Sequence, residues 1–191
     1  MDILGKIFGS PNRVKIMRLF LFNPELVVTT AEAAKRLKIP TLSTQKELRL
    51  LDQAGLIKAG HESGQSKKVW RLNPKFSLTR QFKYLLDTDF KERRDEIGQR
   101  FKNCGQVKLL IIAGSLIGDE NGRADLVLVG DSLRRGLVEQ AIRTLETEVG
   151  KEIVYALLET KDFYYRLGAS DKFIRDLLEF PHERLINKLD F

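Results

Sequence analysis

The sequence predicts an α+β fold in which the two halves of the chain are built differently. In the first half, helical segments broken by proline and glycine lead into two short apolar runs separated by a polar stretch. In the second half, apolar strands alternate with amphipathic helices, which is typical of a mixed or parallel sheet covered by helices. We therefore expect a helical domain with a hairpin in residues 1–75, a charged helical linker in 76–104, and a mixed-sheet α/β domain with C-terminal helices in 105–191.

Two predicted helices open the first half. The first covers residues 11–22, because Ser10 is a good N-cap and Pro11 suits the first turn of a helix. The second begins with Thr30 as its N-cap, and Glu32 places a negative charge where the helix dipole favours it. Only about four residues separate the second helix from the next one, which suits a helix-turn-helix.

The third predicted helix runs from Thr41 to about Ala54, stops at Gly55, and has two chemically different sides. Thr44, Leu48 and Leu51 share the side that we expect to be buried. The opposite side is polar and basic, and a major-groove helix needs such a side because Arg and Lys donate to guanine edges, Gln to adenine, and Ser and Thr to phosphates. The candidate DNA-binding residues on this helix are Thr41, Ser43, Gln45, Lys46 and Arg49. The alternative is that Lys46 and Arg49 form the solvated face of an ordinary helix.

A basic hairpin follows the third helix. One strand begins at Leu56-Ile57, the second covers residues 69–72, and residues 58–68 lie between them. The positive or titratable side chains near it are Lys58, His61, Lys67, Lys68 and Arg71, with only Glu62 against them. A basic hairpin can lie along a phosphate strand or enter a minor groove. We expect His61, Lys67 and Lys68 to contact DNA, since three helices and a two-stranded wing make the winged helix-turn-helix plan.

The charge distribution supports a polyanionic partner for the first half only. The chain carries a net charge of +7. Residues 1–86 hold 16 Lys and Arg against 6 Asp and Glu, whereas residues 87–191 hold 17 against 20.

One part of the first half resembles a known family. The run AEAAKRLKIPTLSTQKELRLLDQAGLIKAG, together with SPNRVKIMRLFLFNPE before it, is similar to the helix–turn–helix–wing of ArsR/MarR-like prokaryotic transcriptional regulators. The resemblance covers about residues 9–75 and implies duplex DNA binding. Two positions depart from the pattern. Pro40 stands where these proteins often carry a Ser or Thr cap, and Leu42, on the exposed side of the third helix, either contacts a thymine methyl or packs at the turn.

The second half contains three predicted strands and several helices. The strands are LLIIAG, DLVLVG and KEIVYALLE. Residues 132–150 form an amphipathic helix with Leu137, Ile142 and Leu145 facing inward, residues 162–179 are helical, and PHERLINKL finishes the chain.

The segment LLIIAGSLIGDENGRADLVLVGD resembles the start of the polymerase-beta-like nucleotidyltransferase fold. Gly114 and Ser115 match its Gly-Ser turn, and Asp125 matches the first carboxylate of the following strand. The resemblance implies that these three residues are candidates for nucleotide binding. Val127 occupies the position of the paired carboxylate and cannot ligate magnesium, although Glu152 could match the later carboxylate. The resemblance therefore implies a degenerate, non-catalytic domain without a metal site, as in a group of prokaryotic regulators that join a winged helix to such a domain.

We expect a sequence-specific transcriptional regulator that binds double-stranded DNA and whose second domain dimerises or senses a nucleotide-like ligand. The alternatives are an active nucleotidyltransferase and an antitoxin-like protein that binds a partner protein and represses its own operon. No cofactor is expected. Cys104 is the only cysteine, so an internal disulfide is excluded and a reducing cytoplasm is the expected location. No apolar run approaches the roughly 20 residues of a membrane helix.

Overall fold

The computed structural model describes residues 3–61, 67–92, 94–119 and 122–191. The chain has a mixed α+β fold with two sheets, as predicted, and it divides into two compact units. The first unit, called here the helical unit, contains the described residues up to Asp89 together with Glu146–Lys151. The second, called the sheet unit, contains Phe90–Leu145 and Glu152–Phe191. Among the described residues, no helix is both long and apolar enough to cross a membrane.

The helical unit contains short helices and a small sheet. Its elements in chain order are α1 (Ile3–Ile7), α2 (Pro11–Leu21), β1 (Val27–Thr29), α3 (Thr30–Leu37), α4 (Thr41–Gln53), β2 (Ile57–His61), β3 (Lys68–Leu72) and the larger part of α5 (Thr79–Glu92). The three predicted helices are thus confirmed as α2, α3 and α4. Their inner faces surround one apolar core that includes Phe20, Leu48 and Trp70.

Local hydrogen bonds explain where these helices begin and end. The Ser10 hydroxyl accepts the backbone N–H of Arg13 at the start of α2, as its sequence predicts. At the start of α3, Thr29 and Glu32 form a capping box, so the prediction of Thr30 as the N-cap was wrong by one residue. The Thr30 hydroxyl instead accepts a hydrogen bond from the indole N–H of Trp70 at 3.0 Å.

The wing is an antiparallel pair of strands within a three-stranded sheet of order β1-β3-β2. Ile57 pairs with Leu72 at one end of the β2–β3 ladder, and His61 pairs with Lys68 at the other. The predicted hairpin is therefore confirmed, and both strands reach further toward the tip than expected. Residues 62–66 of the tip, including Glu62, lie outside the described residues.

A segment from late in the sequence completes the helical unit. Buried Arg18 on α2 forms an ion pair with Asp89 at 2.6 Å and donates to the carbonyl of Glu148 at 3.1 Å. Asn23 donates to the carbonyl of Gly150 at 2.6 Å. A β-carbon at Gly150 would lie 2.7 Å from the backbone of Arg18, so only glycine fits this close approach.

The sheet unit has four strands of order β6-β5-β4-β7. Its elements are α6 (Arg94–Phe101), β4 (Gln106–Ala113), a 3₁₀ turn (Gly114–Leu116), β5 (Leu126–Asp131), the first part of α7 (Arg135–Val149), β6 (Tyr155–Leu158), α8 (Thr160–Gly168), α9 (Lys172–Glu179) and β7 (His182–Asn187). Strands β5 and β6 are parallel, and the other two pairs are antiparallel. The sheet is therefore mixed.

Three details of the sheet unit differ from the sequence prediction. Leu137 does not face inward, because it is 39% exposed while its neighbour Val138 is fully buried. Residues 162–179 form two helices rather than one, separated by a turn in which Ser170 has a positive φ of 52°. No helix or strand was predicted for the end of the chain, but it contains the edge strand β7, which pairs with β4.

Candidate nucleic-acid interface

Helix α4 presents a narrow stripe of exposed side chains. At about 100° per residue, positions i, i+3, i+4 and i+7 share one face of a helix. Leu42, Gln45, Lys46 and Arg49 have this spacing, and all four are exposed or half-buried. Thr41, the first residue of the helix, is also exposed. Ser43 and Gln45 are half-buried, whereas Thr41, Leu42, Lys46 and Arg49 are exposed.

The opposite face of α4 packs into the helical unit. Thr44, Leu48 and Leu51 are buried, which confirms the predicted inner face. Glu47 is buried as well, and its carboxylate forms an ion pair with Arg13 of α2 at 2.8 Å. A buried carboxylate needs such a partner, since an unpaired charge in the interior is strongly unfavourable.

A second polar contact joins α2 to the leading turn of α4. The side-chain amide of Asn12 donates to the Ser43 hydroxyl at 3.1 Å, and Ser43 is half-buried. Together with the Arg13–Glu47 pair, this bond restricts rotation of α4 about its own axis. The stripe of α4 is therefore held in one orientation by α2, which is useful for reading a surface as specific as a DNA groove.

The hairpin adds exposed basic side chains on both of its faces. His61, Lys67 and Lys68 are exposed, and the ammonium of Lys68 lies 4.4 Å from the centre of the Trp70 ring. On the other face, Lys58 and Arg71 are exposed and directly opposite each other in the ladder. Like charges directly opposite each other destabilise a ladder, and an anion bound beside Lys58 and Arg71 would offset that repulsion.

The Gly114-Ser115 turn of the sheet unit is the second candidate site, and its polar groups bond to one another. The carboxylate of Asp125 is buried. One of its oxygens accepts the backbone N–H of Ser115 at 2.7 Å, and the other accepts the backbone N–H of Val154 at 2.9 Å. The Ser115 amide, which would have to donate to a phosphate in a nucleotide site, thus already has an acceptor within the protein.

Close packing explains the glycine in this turn. A β-carbon at Gly114 would lie 2.6 Å from Asp125 Oδ1, and one at Gly122 would lie 2.6 Å from the Gly114 Cα. Gly114 also has a positive φ of 53°. Val127 is fully buried opposite Ile111 of β4, and Glu152 is exposed. Nucleotide binding by Gly114, Ser115 and Asp125 stays a prediction, but the geometry gives Gly114 and Asp125 a structural reason to be present, whereas Ser115 contributes its backbone N–H.

Two further titratable groups of the sheet unit, Asp131 and Cys104, have local interactions that change their pKa. Hydrogen bonds from Lys108 and Thr160 lower the pKa of Asp131, the last residue of β5. Burial raises the pKa of the Cys104 thiol and so favours its neutral form. Within the described ranges, no three His, Cys, Asp or Glu side chains are grouped closely enough to hold a metal ion.

Comparisons with known proteins give a weak likeness to structures of one protein. No family model matches the chain, and no curated protein matches it. Solved structures of ZitR from Lactococcus lactis, a cysteine-to-serine mutant alone and in complex with DNA, share 22% identity with TM-scores of 0.38 and 0.36. Each match covers 49% of this chain and 63% of ZitR, so less than two thirds of those chains is spanned. A ZitR mutant in apo form is matched over 53% of this chain and 80% of its own, with a TM-score of 0.38.

Sequence reasoning missed the residues that position α4. Each contact joins residues that are distant in sequence: Asn12 lies 31 residues from Ser43, and Arg13 lies 34 residues from Glu47. One signal was present: Glu47 is next to Leu48 on the inner side of an amphipathic helix, where a carboxylate requires a cationic partner. The partner could not be identified without the fold, because many cations occur in the first half of the sequence.

Proposed function

We propose that this protein is a sequence-specific DNA-binding transcriptional regulator. Its reading head lies in residues 1–75, where Gln45, Lys46 and Arg49 face the major groove and Thr41 and Ser43 lie at the leading turn. His61, Lys67 and Lys68 of the wing contact the phosphate backbone. The observation that carries this proposal is the fixed, exposed stripe of α4 beside a hairpin rich in exposed cations.

The proposed DNA partner is a two-fold symmetric duplex bound by a homodimer. One recognition helix reads only a few base pairs, so a single module gives limited affinity and specificity. The sheet unit then serves to dimerise or to sense a nucleotide-like ligand or protein partner. Sedimentation that gave a monomer both free and on its best duplex would exclude this assembly.

The proposed regulator is not an enzyme. Two-metal phosphoryl transfer needs carboxylates that bridge both ions. In the resemblance to the nucleotidyltransferase fold, Val127, which is buried, occupies the position of one of them. Incubation with magnesium or manganese, labelled nucleoside triphosphates, and RNA, DNA and protein acceptors should give no labelled product. A product that disappears in Asp125→Ala would overturn this part of the proposal.

The DNA-binding proposal is tested first by selecting duplexes from a random pool with the full chain. The selected duplex is then used to compare two double variants that change the net charge equally. Lys46→Glu with Arg49→Glu should weaken binding by about 100-fold or more, because carboxylates on α4 repel phosphates and lose base contacts. Lys172→Glu with Arg175→Glu, on an exposed face of α9, should change binding only slightly. Equal losses in both variants would contradict a site on α4.

A further inference from the structure

Helix α4 carries an apolar side chain in the middle of its polar stripe. Leu42 is 83% exposed, more than any other large apolar side chain in the described part of the protein. The suggestion that it packs at the turn between α3 and α4 is therefore wrong. Scattered exposed leucines are common on protein surfaces, so exposure alone assigns nothing to Leu42. Its position on α4 is the second observation.

Leu42 begins the stripe that the proposed function assigns to DNA. Gln45, Lys46 and Arg49 follow it at spacings of three, four and seven residues, so all four side chains share one face of α4. Leu42 lies in the first turn, and the N-terminal residues of a recognition helix are those that contact base edges. The Asn12–Ser43 hydrogen bond holds the next residue against α2, which fixes the direction in which this turn faces.

The chemistry of base edges selects a partner for a leucine at this position. In the major groove, thymine presents a C5-methyl group, whereas guanine, adenine and cytosine present donors or acceptors at their distinguishing positions. A leucine packed against those polar groups would exclude their water without replacing its hydrogen bonds. Against a thymine methyl, the same contact buries apolar surface on both sides.

We propose that Leu42 is a specificity-determining residue that reads the methyl group of one thymine in each half-site. This inference rests on the proposed function, since it requires α4 to lie in the major groove of duplex DNA. The methyl group supplies no hydrogen bond and no charge. Its contribution therefore differs from those of Lys46 and Arg49, because it is insensitive to salt.

The inference is tested by replacing each thymine of the selected duplex, one at a time, with uracil. Uracil keeps every hydrogen-bonding group of thymine and lacks only the methyl. At one thymine of each half-site, the full chain should lose roughly fourfold in affinity, as expected for one methyl group removed from an apolar contact. In Leu42→Ala, replacing that thymine with uracil should no longer reduce the affinity. The effect of the same replacement at the other thymines should stay as it is in the original protein.

A control and a second variant complete the test. Leu78→Ala removes a leucine that is 44% exposed outside α4, and it should bind thymine and uracil duplexes as the original protein does. Leu42→Gln, selected on a fresh random pool, should exchange the thymine for adenine, because glutamine bonds to the adenine edge in the major groove. Thymine sensitivity that persists in Leu42→Ala, or an unchanged base at that position in Leu42→Gln, would overturn the inference. Failure of the original chain to bind any duplex would instead overturn the proposed function.

Discussion

The stripe of α4 and the Gly114-Ser115 turn contain similar kinds of polar groups but use them in opposite ways. On α4, Lys46 and Arg49 are exposed, and the internal hydrogen bonds that orient the helix come from its other sides. At the turn, the Asp125 carboxylate is buried and accepts the backbone N–H groups of Ser115 and Val154. A ligand site must leave donors and acceptors available, and by this measure α4 is the stronger candidate.

This difference shows what a local motif can and cannot establish. A Gly-Ser turn followed by an aspartate is compatible with a nucleotide site and equally with a turn that is stabilised by its own carboxylate. The partners of Asp125 are 10 and 29 residues away in sequence, so the sequence around the motif cannot distinguish the two. The following changes test the comparison, beginning with the largest expected effect.

Replacing Asp125 should destabilise the sheet unit. Asp125→Ala removes two hydrogen bonds to a charged acceptor, each of which is expected to contribute about 1.5–3 kcal/mol, so the free energy of unfolding should fall by roughly 3–6 kcal/mol. Urea denaturation followed by circular dichroism measures this change. Asp190→Ala, at an exposed position, should stay within about 0.5 kcal/mol. An Asp125→Ala protein of unchanged stability that had lost nucleotide binding would make Asp125 a ligand-binding residue.

Removing Arg49 should relax base preference. If its guanidinium donates to a guanine edge, Arg49→Ala should cost about 1–3 kcal/mol of binding free energy on the selected duplex, with little change on random DNA. Titrations of both duplexes by fluorescence anisotropy give the two values. Equal losses on selected and random DNA would show that Arg49 contacts only phosphate.

Removing the wing lysines should weaken binding to all sequences alike. Each lost phosphate contact reduces the slope of log affinity against log salt by about 0.9, so Lys67→Ala with Lys68→Ala should reduce it by up to about 1.8. Lys161→Ala with Lys172→Ala, both exposed on the sheet unit, provides the matched control and should leave the slope unchanged. A salt slope that is the same in the wing variant would place the hairpin away from the phosphates.

The smallest expected effect concerns the capping box of α3. Hydrogen bonds from the backbone N–H and the hydroxyl of Thr29 lower the pKa of Glu32 in the folded protein. The stability that this gives is present above the ordinary glutamate pKa of about 4.3 and is lost as the pH falls through the lower folded value. The free energy of unfolding, followed by the fluorescence of Trp70, the only tryptophan, should therefore fall less steeply at acid pH in Glu32→Gln than in the original protein. An identical acid transition in both proteins would contradict this assignment.

The sequence predicts most of the helical unit because its signals are local. Ser10-Pro11, Pro40 and Gly55 mark helix boundaries through backbone chemistry that does not depend on distant residues. The prediction of Thr30 as N-cap failed because the preceding Thr29 can cap a helix equally well, and the indole of Trp70, 40 residues away, takes Thr30 as its acceptor.

The sheet unit is less predictable for the same reason. Strand β7 has only a short apolar stretch, and its pairing with β4 brings together residues 69 to 78 positions apart. In the candidate interface, the buried side of α4 followed from helical spacing, whereas the contacts of Asn12 and Arg13 that orient it depend on how α2 packs. Periodicity therefore predicts which face is exposed but does not predict what fixes its direction.

The central claim is that duplex DNA binds the stripe of α4 and the wing and not the Gly114-Ser115 turn. Backbone amide chemical shifts of the isotope-labelled full chain, recorded with and without the selected duplex, test both parts at once. The largest shifts should fall in residues 41–49, 58–61 and 67–71, with the amides of Ser115 and Val154 unchanged. Largest shifts at the Gly114-Ser115 turn, with α4 unaffected, would contradict the claim.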